Sequence, residues 1–188
     1  MLSKLFKGQT KGHTSQTFHR KHLALDIIGN NVNFGYGTPL CAPENCRVVR
    51  ITGDTFTPDE HQRDLKVEHG FGIYLKGLET GLEYLYWHCL PIFPVWGGDI
   101  VPRGQIVAFM GNYGLVYQEG KYIPIDQRTV APYKGNHLHI QVEDEGHTRI
   151  DPTSLIDWNL EPSYTVLDLM KATLKVISKK ATLLARNK

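Results

Sequence analysis

An imidazole and a carboxylate stand four residues apart in the motif H-x3-D, formed by His22 and Asp26. Both groups are common zinc ligands. On an ideal strand the two positions would be about 13 Å apart along the axis, which is too far for one metal ion. A shared metal therefore requires the chain to leave regular strand geometry near Ala24 or Leu25. Alone the motif is weak evidence, because a single His or Asp is usually a surface group or a hydrogen-bonded polar group.

Two histidines flank Leu138 in the tripeptide His137-Leu138-His139. On a strand both rings would lie on one face, about 7 Å apart, so that one could bind a metal beside an open coordination position. The alternative is an exposed polar face of an antiparallel strand. His88 lies in an aromatic, mostly apolar segment over 84–90, where a buried, hydrogen-bonded core histidine is the simpler interpretation.

Together these residues form a more specific set than any of them alone. Two imidazoles and one carboxylate suit a catalytic zinc ion that keeps a position open for water. Two further imidazoles could take a proton from that water and stabilise an oxyanion. The combination therefore points to metal-assisted hydrolysis.

Short segments of period two, separated by turn signals, predict the elements that must position these residues. The segments 72–78 and 83–89 flank a turn and are typical of a hairpin. No crossover helix is indicated between residues 22 and 150, which disfavours a parallel α/β fold. We expect a mainly β fold, an antiparallel β-sandwich or open barrel, with a C-terminal amphipathic helix. A polar loop is predicted over 53–66, and the length of the segment 112–135 favours a functional loop.

The ends of the chain differ from its middle in charge and pattern. We expect a flexible basic segment over 1–19, a folded domain over 20–160 and a basic helix over 161–188. Apolar residues at helical spacing in the last part have two interpretations. One is a helix docked on the domain or on a partner chain, and the other is a surface anchor for an anionic envelope. The docked helix is the simpler interpretation.

Charge and composition disfavour several classes of protein. The net charge is +2, but residues 22–162 carry 10 basic and 18 acidic side chains, and this acidic body disfavours binding of nucleic acid. No run of twenty apolar residues predicts a transmembrane helix. The N-terminus lacks the apolar core of a secretory signal, so we expect synthesis in a cytoplasm. Three cysteines give no disulfide framework, and we expect reduced, partly buried thiols.

The ordered motifs of this chain resemble those of the M23 family of zinc peptidases, the lysostaphin-like peptidoglycan endopeptidases. That family shows H-x3-D, G-T-P-x-x-A-P, an aromatic-x-H-L segment, a G-D-x-V-x-x-G-Q segment and G-x-H-L-H. The resemblance covers about residues 20–157, with all motifs in order. The matching segments are 22–26, 37–43, 86–90, 97–111 and 135–139, followed by a closing signal at 150–152.

The resemblance implies an activity and a role for each polar residue. His22, Asp26 and His139 would bind one Zn²⁺ per chain. His88 and His137 would be the catalytic pair beside the water and the scissile carbonyl. In the family, zinc-activated water hydrolyses peptide bonds of bacterial cell-wall peptidoglycan, which would be the substrate here.

The chain departs from the family pattern at several places. Cys89 separates His88 from Leu90, where the family has H-L, and the polar loop over 53–66 is extended. Ala24 stands where the family has Gly, and the segment 112–135 is longer than its common form, so the choice of substrate stays open. The main alternative function is a non-catalytic module of the same fold, such as a virion component or a wall-hydrolase activator. A sugar-uptake phosphocarrier is a third hypothesis, but it would need no H-x3-D pair. Without a secretory signal, we expect a phage-encoded lytic or virion-associated enzyme that acts at the cell wall.

Overall fold

The computed structural model describes residues 2–3, 5–6, 14–28, 35–52, 70–118, 120–128, 130, 133–157, 160 and 162–186. One antiparallel sheet of eight strands dominates this part of the chain. Its order is β2 (Thr14–Gln16), β3 (Leu25–Ile27), β12 (Leu138–Glu143), β7 (Glu83–Cys89), β6 (Phe71–Gly77), β5 (Cys46–Thr52) and β8 (Ile100–Val101), and β13 (Arg149–Ile150) also pairs with β12.

Smaller strand pairs and helices surround this sheet. The pairs are β4 (Pro39–Cys41) with β9 (Ile106–Phe109), β10 (Tyr117–Gln118) with β11 (Lys121–Tyr122), and β1 (Leu2–Ser3) in parallel with β14 (Ile156–Asp157). The helices are α1 (Ile125–Arg128) and α2 (Val166–Arg186), with a 3-10 turn over Pro152–Ser154. The prediction of a mainly β, antiparallel fold with a C-terminal helix is confirmed. The polar loop predicted over 53–66 lies outside the described residues.

Alternation along the strands separates the core from the site. Leu25 and Ile27 of β3 are at most 1% exposed and belong to the main hydrophobic core. Each such side chain contributes about 1.5–3 kcal/mol through burial. Asp26 lies between them and therefore points to the other face, directly opposite His139 of β12. The apolar pattern thus fixes which face carries the polar residues.

A buried carboxylate holds the turn of the predicted β6–β7 hairpin. Glu44 accepts hydrogen bonds from the backbone N–H groups of Glu79 (2.9 Å) and Thr80 (3.1 Å) and from the Thr80 hydroxyl (2.5 Å). The Tyr84 hydroxyl also donates to this carboxylate. Burial, and after it the Glu44 carboxylate, raises the pKa of Tyr84 well above its usual range. These four donors compensate for the desolvation of a charge with no exposed surface.

The beginning of the chain is packed where it is described. Leu2, Leu5 and Phe6 are buried in the main core. The Leu5 carbonyl accepts a hydrogen bond of 2.7 Å from the backbone N–H of Cys41. The packing of these residues differs from the flexible segment predicted over 1–19. Burial of three apolar side chains stabilises the packed arrangement, although the surrounding sequence is basic and polar.

Helix α2 begins at Val166, inside the segment 161–188 for which the sequence predicts a basic helix. Thr165 and Asp168 form a reciprocal cap, in which the Thr165 hydroxyl accepts from the Asp168 N–H (3.2 Å) and Asp168 Oδ2 accepts from the Thr165 N–H (2.8 Å). Further along, the buried Lys179 ammonium donates to the Val95 carbonyl at 3.1 Å. The helix is therefore docked on the domain.

The sequence predicts that the apolar face of α2 packs on the domain, but the structure shows another face in contact with it. Val166, Met170, Leu174 and Ile177 carry the helical apolar spacing, yet each of them is more than half exposed. Ala172 is buried instead, within a smaller core cluster that also contains Cys41, Leu90, Ile106 and Phe109. No described helix is both long enough and apolar enough to cross a membrane.

The three cysteines form no disulfide, in line with the expected reduced thiols, and they are fully rather than partly buried. Burial raises the pKa of Cys46 to about 12 and that of Cys89 well above its usual value. At pH 8 the thiolate fraction of Cys46 would be about one in 10⁴. We therefore expect the folded protein to react with an aromatic disulfide reagent far more slowly than the unfolded chain, which should show three thiols. Equal rates before and after unfolding would contradict the buried placement.

Candidate metal centre

The H-x3-D motif is bent, as a shared metal requires. His22 forms an isolated bridge with His19, and β3 begins only at Leu25. The bend between them brings His22 Nε2 to 3.4 Å from Asp26 Oδ1. The expectation that the chain leaves regular strand geometry near residues 24 and 25 is therefore confirmed.

Strand register brings the third expected ligand to the same place. Asp26 and His139 are direct partners across β3 and β12, so their side chains share a face. His139 Nδ1 lies 2.7 Å from Asp26 Oδ1. One ligand atom from each of His22, Asp26 and His139 lies within 4.8 Å of the other two. This spacing is what a single ion with three protein ligands needs.

The Asp26 carboxylate is buried among imidazoles. Burial opposes its ionisation, but the contact with His139 and the nearby His137 and His22 rings hold the pKa of Asp26 below its usual value. Despite the short distance to His139, Oδ1 receives no hydrogen bond of acceptable geometry from the described residues. A buried oxygen of this kind normally has a partner. An ionised oxygen without a donor, flanked by imidazole nitrogens, suits a cation.

A second layer of side chains orients the His139 ring. The Gln141 amide nitrogen lies 3.0 Å from His139 Nε2. Gln141 Oε1 in turn accepts hydrogen bonds from the Arg149 guanidinium and from Trp87 Nε1, the latter at 3.3 Å. These contacts hold the His139 ring with Nδ1 toward Asp26 and Nε2 toward the Gln141 amide. The alternation of the strand places Gln141 on the same face as the two histidines, but nothing in the sequence indicates that it contacts a histidine ring.

His88 reaches the site through a β-bulge. Trp87 pairs directly with His139, so regular alternation would send His88 to the opposite face of the sheet. At the end of β7 the register shifts, and three residue steps on β7 oppose two on β6. His88 has a φ of +58° at this point. The bulge turns its ring back, to 5.7 Å from His139 and 4.5 Å from His137 between ring centroids.

Backbone carbonyls set the proton positions on His88 and His137. His88 Nδ1 lies 2.5 Å from the Tyr113 carbonyl oxygen, and His137 Nδ1 lies 2.8 Å from that of Gly135. A carbonyl oxygen can only accept, so each Nδ1 must be the donor. In the neutral rings Nε2 is then the acceptor, and His137 Nε2 faces Asp26 Oδ2 at 4.0 Å.

Burial keeps the His137 ring neutral near pH 7. Desolvation lowers the pKa of His137, and this effect outweighs the opposing attraction of the Asp26 carboxylate and the hydrogen bond to Gly135. A neutral imidazole can accept a proton, whereas a charged one cannot. His137 is therefore in the state that a general base requires.

Gly70 places the carbonyl that holds His88. A Cβ atom on Gly70 would lie 2.4 Å from the Tyr113 carbonyl carbon and 2.5 Å from its oxygen. Gly70 also has a φ of +63°, which L side chains rarely adopt. The close approach of these two backbones is a feature that the sequence did not indicate.

A Gly70→Ala substitution should lower the free energy of unfolding by more than backbone strain alone accounts for. We expect Gly37→Ala, at φ +78° with nothing within 4 Å of the added carbon, to cost about 1–2 kcal/mol. Gly70→Ala adds the collision with Tyr113 and should cost about 1–3 kcal/mol more. Urea unfolding measures both, and the side-chain NMR signals of His88 should shift in Gly70→Ala alone. Equal stability of the two variants would contradict the contact.

A cleft of about 660 Å³ opens beside all five predicted site residues. Its other walls come partly from the segment 112–135, for which the sequence predicts a functional loop. That segment is anchored by the buried Arg128, whose guanidinium donates to the carbonyls of Asn112 (2.6 Å) and Gly114 (2.8 Å). The remaining lining residues, which sequence reasoning missed, are Ser15, Gln16, Leu115, Tyr117, Gln118 and Gly120.

Another group of possible ligands lies away from this cleft. Glu83, Glu143 and His147 are close enough to share an ion. Their carboxylates already have cationic partners, however, since Lys76 lies 3.7 Å from Glu83 and Arg149 lies 2.9 Å from Glu143. The group at His22, Asp26 and His139 is therefore the better candidate for a metal.

Comparisons by sequence give no match to a family model or to a curated protein. Comparison by structure does. The chain resembles the structure of LytU, with a TM-score of 0.52 and 22% identity, over 81% of this chain and 89% of the other. It also resembles a putative peptidase M23 from Pseudomonas aeruginosa, with a TM-score of 0.50 and 24% identity, over 81% of this chain.

The chain has the fold of the M23 peptidases. It spans about half the length of the Pseudomonas chain, 51% of which is covered. A catalytic domain of the antimicrobial peptidase lysostaphin from Staphylococcus simulans is a further match, with 21% identity, a TM-score of 0.48, and coverage of 80% of this chain and 91% of that one. At these identities the likeness concerns the fold.

Proposed function

We propose that this protein is a zinc-dependent endopeptidase that hydrolyses peptide bonds in bacterial cell-wall peptidoglycan. The observation that carries this proposal is the convergence of two imidazoles and one carboxylate, His22, Asp26 and His139, beside the His88 and His137 rings in an open cleft. The fold supports the proposal as well, because the chain resembles a putative M23 peptidase.

Zinc fits the donor set better than the other common divalent ions. Two neutral imidazole nitrogens and one carboxylate oxygen suit Zn²⁺, whereas Mg²⁺ and Ca²⁺ prefer oxygen ligands throughout. The buried Asp26 Oδ1 receives no hydrogen bond from the described residues, and it would find its partner in the ion. His22, Asp26 and His139 would hold one zinc ion per chain, which supplies a Lewis acid for polarising an oxygen ligand.

His88 and His137 are the proton-handling residues of the proposal. Their Nδ1 atoms are engaged with backbone carbonyls, which leaves each Nε2 able to accept a proton or, once protonated, to donate one. Accepting a proton from the attacking nucleophile and stabilising charge on the scissile carbonyl oxygen are the two tasks that peptide hydrolysis sets. The two rings lie 4.5 Å apart and both border the cleft.

Peptidoglycan digestion tests the proposal. Purified protein, with zinc added or removed by a chelator, is incubated with peptidoglycan from several bacteria, and released fragments are identified by mass spectrometry. We expect fragments with new peptide termini, their loss on chelation and their return with zinc. Zinc-loaded, folded protein that releases no fragment from any wall would favour a non-catalytic module of this fold.

A further inference from the structure

Helix α2 presents a continuous apolar stripe to solvent. Five side chains on one face of the helix are each more than half exposed. Their spacing of three and four residues places them along one side of the helix axis. This exposed stripe consists of Val166, Leu167, Met170, Leu174 and Ile177.

The opposite side of α2 is occupied by the domain. Leu169 and Ala172 pack against the smaller core cluster. The Lys179 ammonium is buried, 4.1 Å from the centroid of the Trp96 ring, and it donates to Val95. The helix is therefore held in an orientation that keeps the exposed stripe turned outward, and no part of the domain that the structure describes covers it.

Lysines flank the exposed stripe. Lys171 and Lys175 lie along one border, and Lys180 lies along the other, with all three exposed. The acid in this helix is Asp168, which is engaged with Thr165 at the cap. An apolar strip bordered by basic side chains, with no acid along it, is electrostatically complementary to an anionic surface.

We propose that α2 lies on an anionic lipid surface, with the exposed stripe inserted between the headgroups and the flanking lysines on lipid phosphates. Amphipathic helices with a basic polar border bind membranes in this way, parallel to the surface. A second copy of the helix fits less well. Pairing two exposed stripes would bring lysine borders together and offer no acidic side chain along the stripe to neutralise them.

Vesicle co-sedimentation of the full chain tests this proposal. We expect binding to vesicles of phosphatidylglycerol and phosphatidylcholine that is at least about tenfold tighter than to phosphatidylcholine alone. Replacing Lys171 and Lys175 together by Gln should weaken binding by about 25-fold, about fivefold for each charge. The triple change Met170→Gln, Leu174→Gln and Ile177→Gln should weaken it by at least about tenfold.

A matched triple variant controls for loss of exposed apolar surface in general. Val49, Leu78 and Ile100 are also about half exposed but lie outside α2, so their replacement by Gln should leave vesicle binding unchanged. Circular dichroism confirms that each variant keeps its helix. Equal binding to neutral and anionic vesicles, or an unaffected stripe variant, would overturn the proposal.

Sedimentation in the absence of lipid distinguishes a protein partner. A dimer that disappears in the stripe variant would assign the exposed stripe to a second copy and refute the lipid surface. The result is independent of the proposed peptidase activity, because a His137→Ala variant should bind vesicles as the unchanged protein does.

Discussion

Replacing His137 by Ala should lower kcat for peptide-bond hydrolysis by about 10²–10⁴-fold, the usual contribution of a general acid–base group. His137 can also group with His88 and His139 around an ion, but that set has no carboxylate and the proposed zinc set does not include His137, so one zinc ion per chain should remain. The His137 side chain is only 13% exposed, and desolvation lowers its pKa and keeps it neutral, so its loss removes a proton acceptor that water in the enlarged cleft replaces poorly. His88→Ala should behave similarly.

Zinc content and hydrolysis of peptidoglycan must be measured on the same sample of His137→Ala. The control is His147→Ala, because the His147 side chain is 76% exposed and belongs to the group of possible ligands outside the cleft. That variant should keep both zinc and activity. Undiminished hydrolysis by His137→Ala would remove this residue from the mechanism, and zinc loss in His147→Ala would place the metal elsewhere.

Replacing Asp26 by Asn should abolish stoichiometric zinc binding and, with it, hydrolysis. The amide keeps the size of the side chain but removes the negative charge that faces three imidazoles. Loss of an outer contact to a zinc ligand already costs about 10–100-fold in affinity, so loss of the charged ligand itself should cost more than about 100-fold. Competition with a chromogenic chelator measures the affinity directly.

Asp126→Asn is the matched control for this substitution. Asp126 is an exposed carboxylate at the start of α1, and its side chain contacts the backbone of Gln127. Its conversion to an amide should leave zinc affinity unchanged. If Asp26→Asn bound zinc as tightly as the unchanged protein, the assignment of the metal to His22, Asp26 and His139 would be wrong.

The bend in the H-x3-D motif was predictable because it is a matter of distance along the chain. Two residues four apart on a strand cannot share an ion, so the sequence required a departure from strand geometry near residue 24. The hairpin of β6 and β7 was predictable for a similar reason, since alternation and turn residues are local signals. Local geometry of this kind is predictable because it depends only on residues that are close together in the sequence.

The position of His88 was not predictable in this way. Its segment is apolar, and a core histidine was the simpler interpretation of the residue alone. A one-residue bulge against β6, a backbone φ of +58° and the close approach of Gly70 to Tyr113 together turn the ring into the cleft. Each of these depends on a neighbouring strand or loop that is distant in sequence.

At the two ends of the chain, too, some features were predictable from the sequence and others were not. The sequence by itself predicted an amphipathic helix within residues 161–188, because helical periodicity is an intrinsic property of the spacing, and the structure has it at Val166–Arg186. Only the tertiary structure decided which side of that helix docks, where Leu2, Leu5 and Phe6 are buried, and how five polar residues meet at one cleft. Docking depends on complementary shape and on competition among apolar surfaces for burial, and these quantities exist only once the sheet has formed.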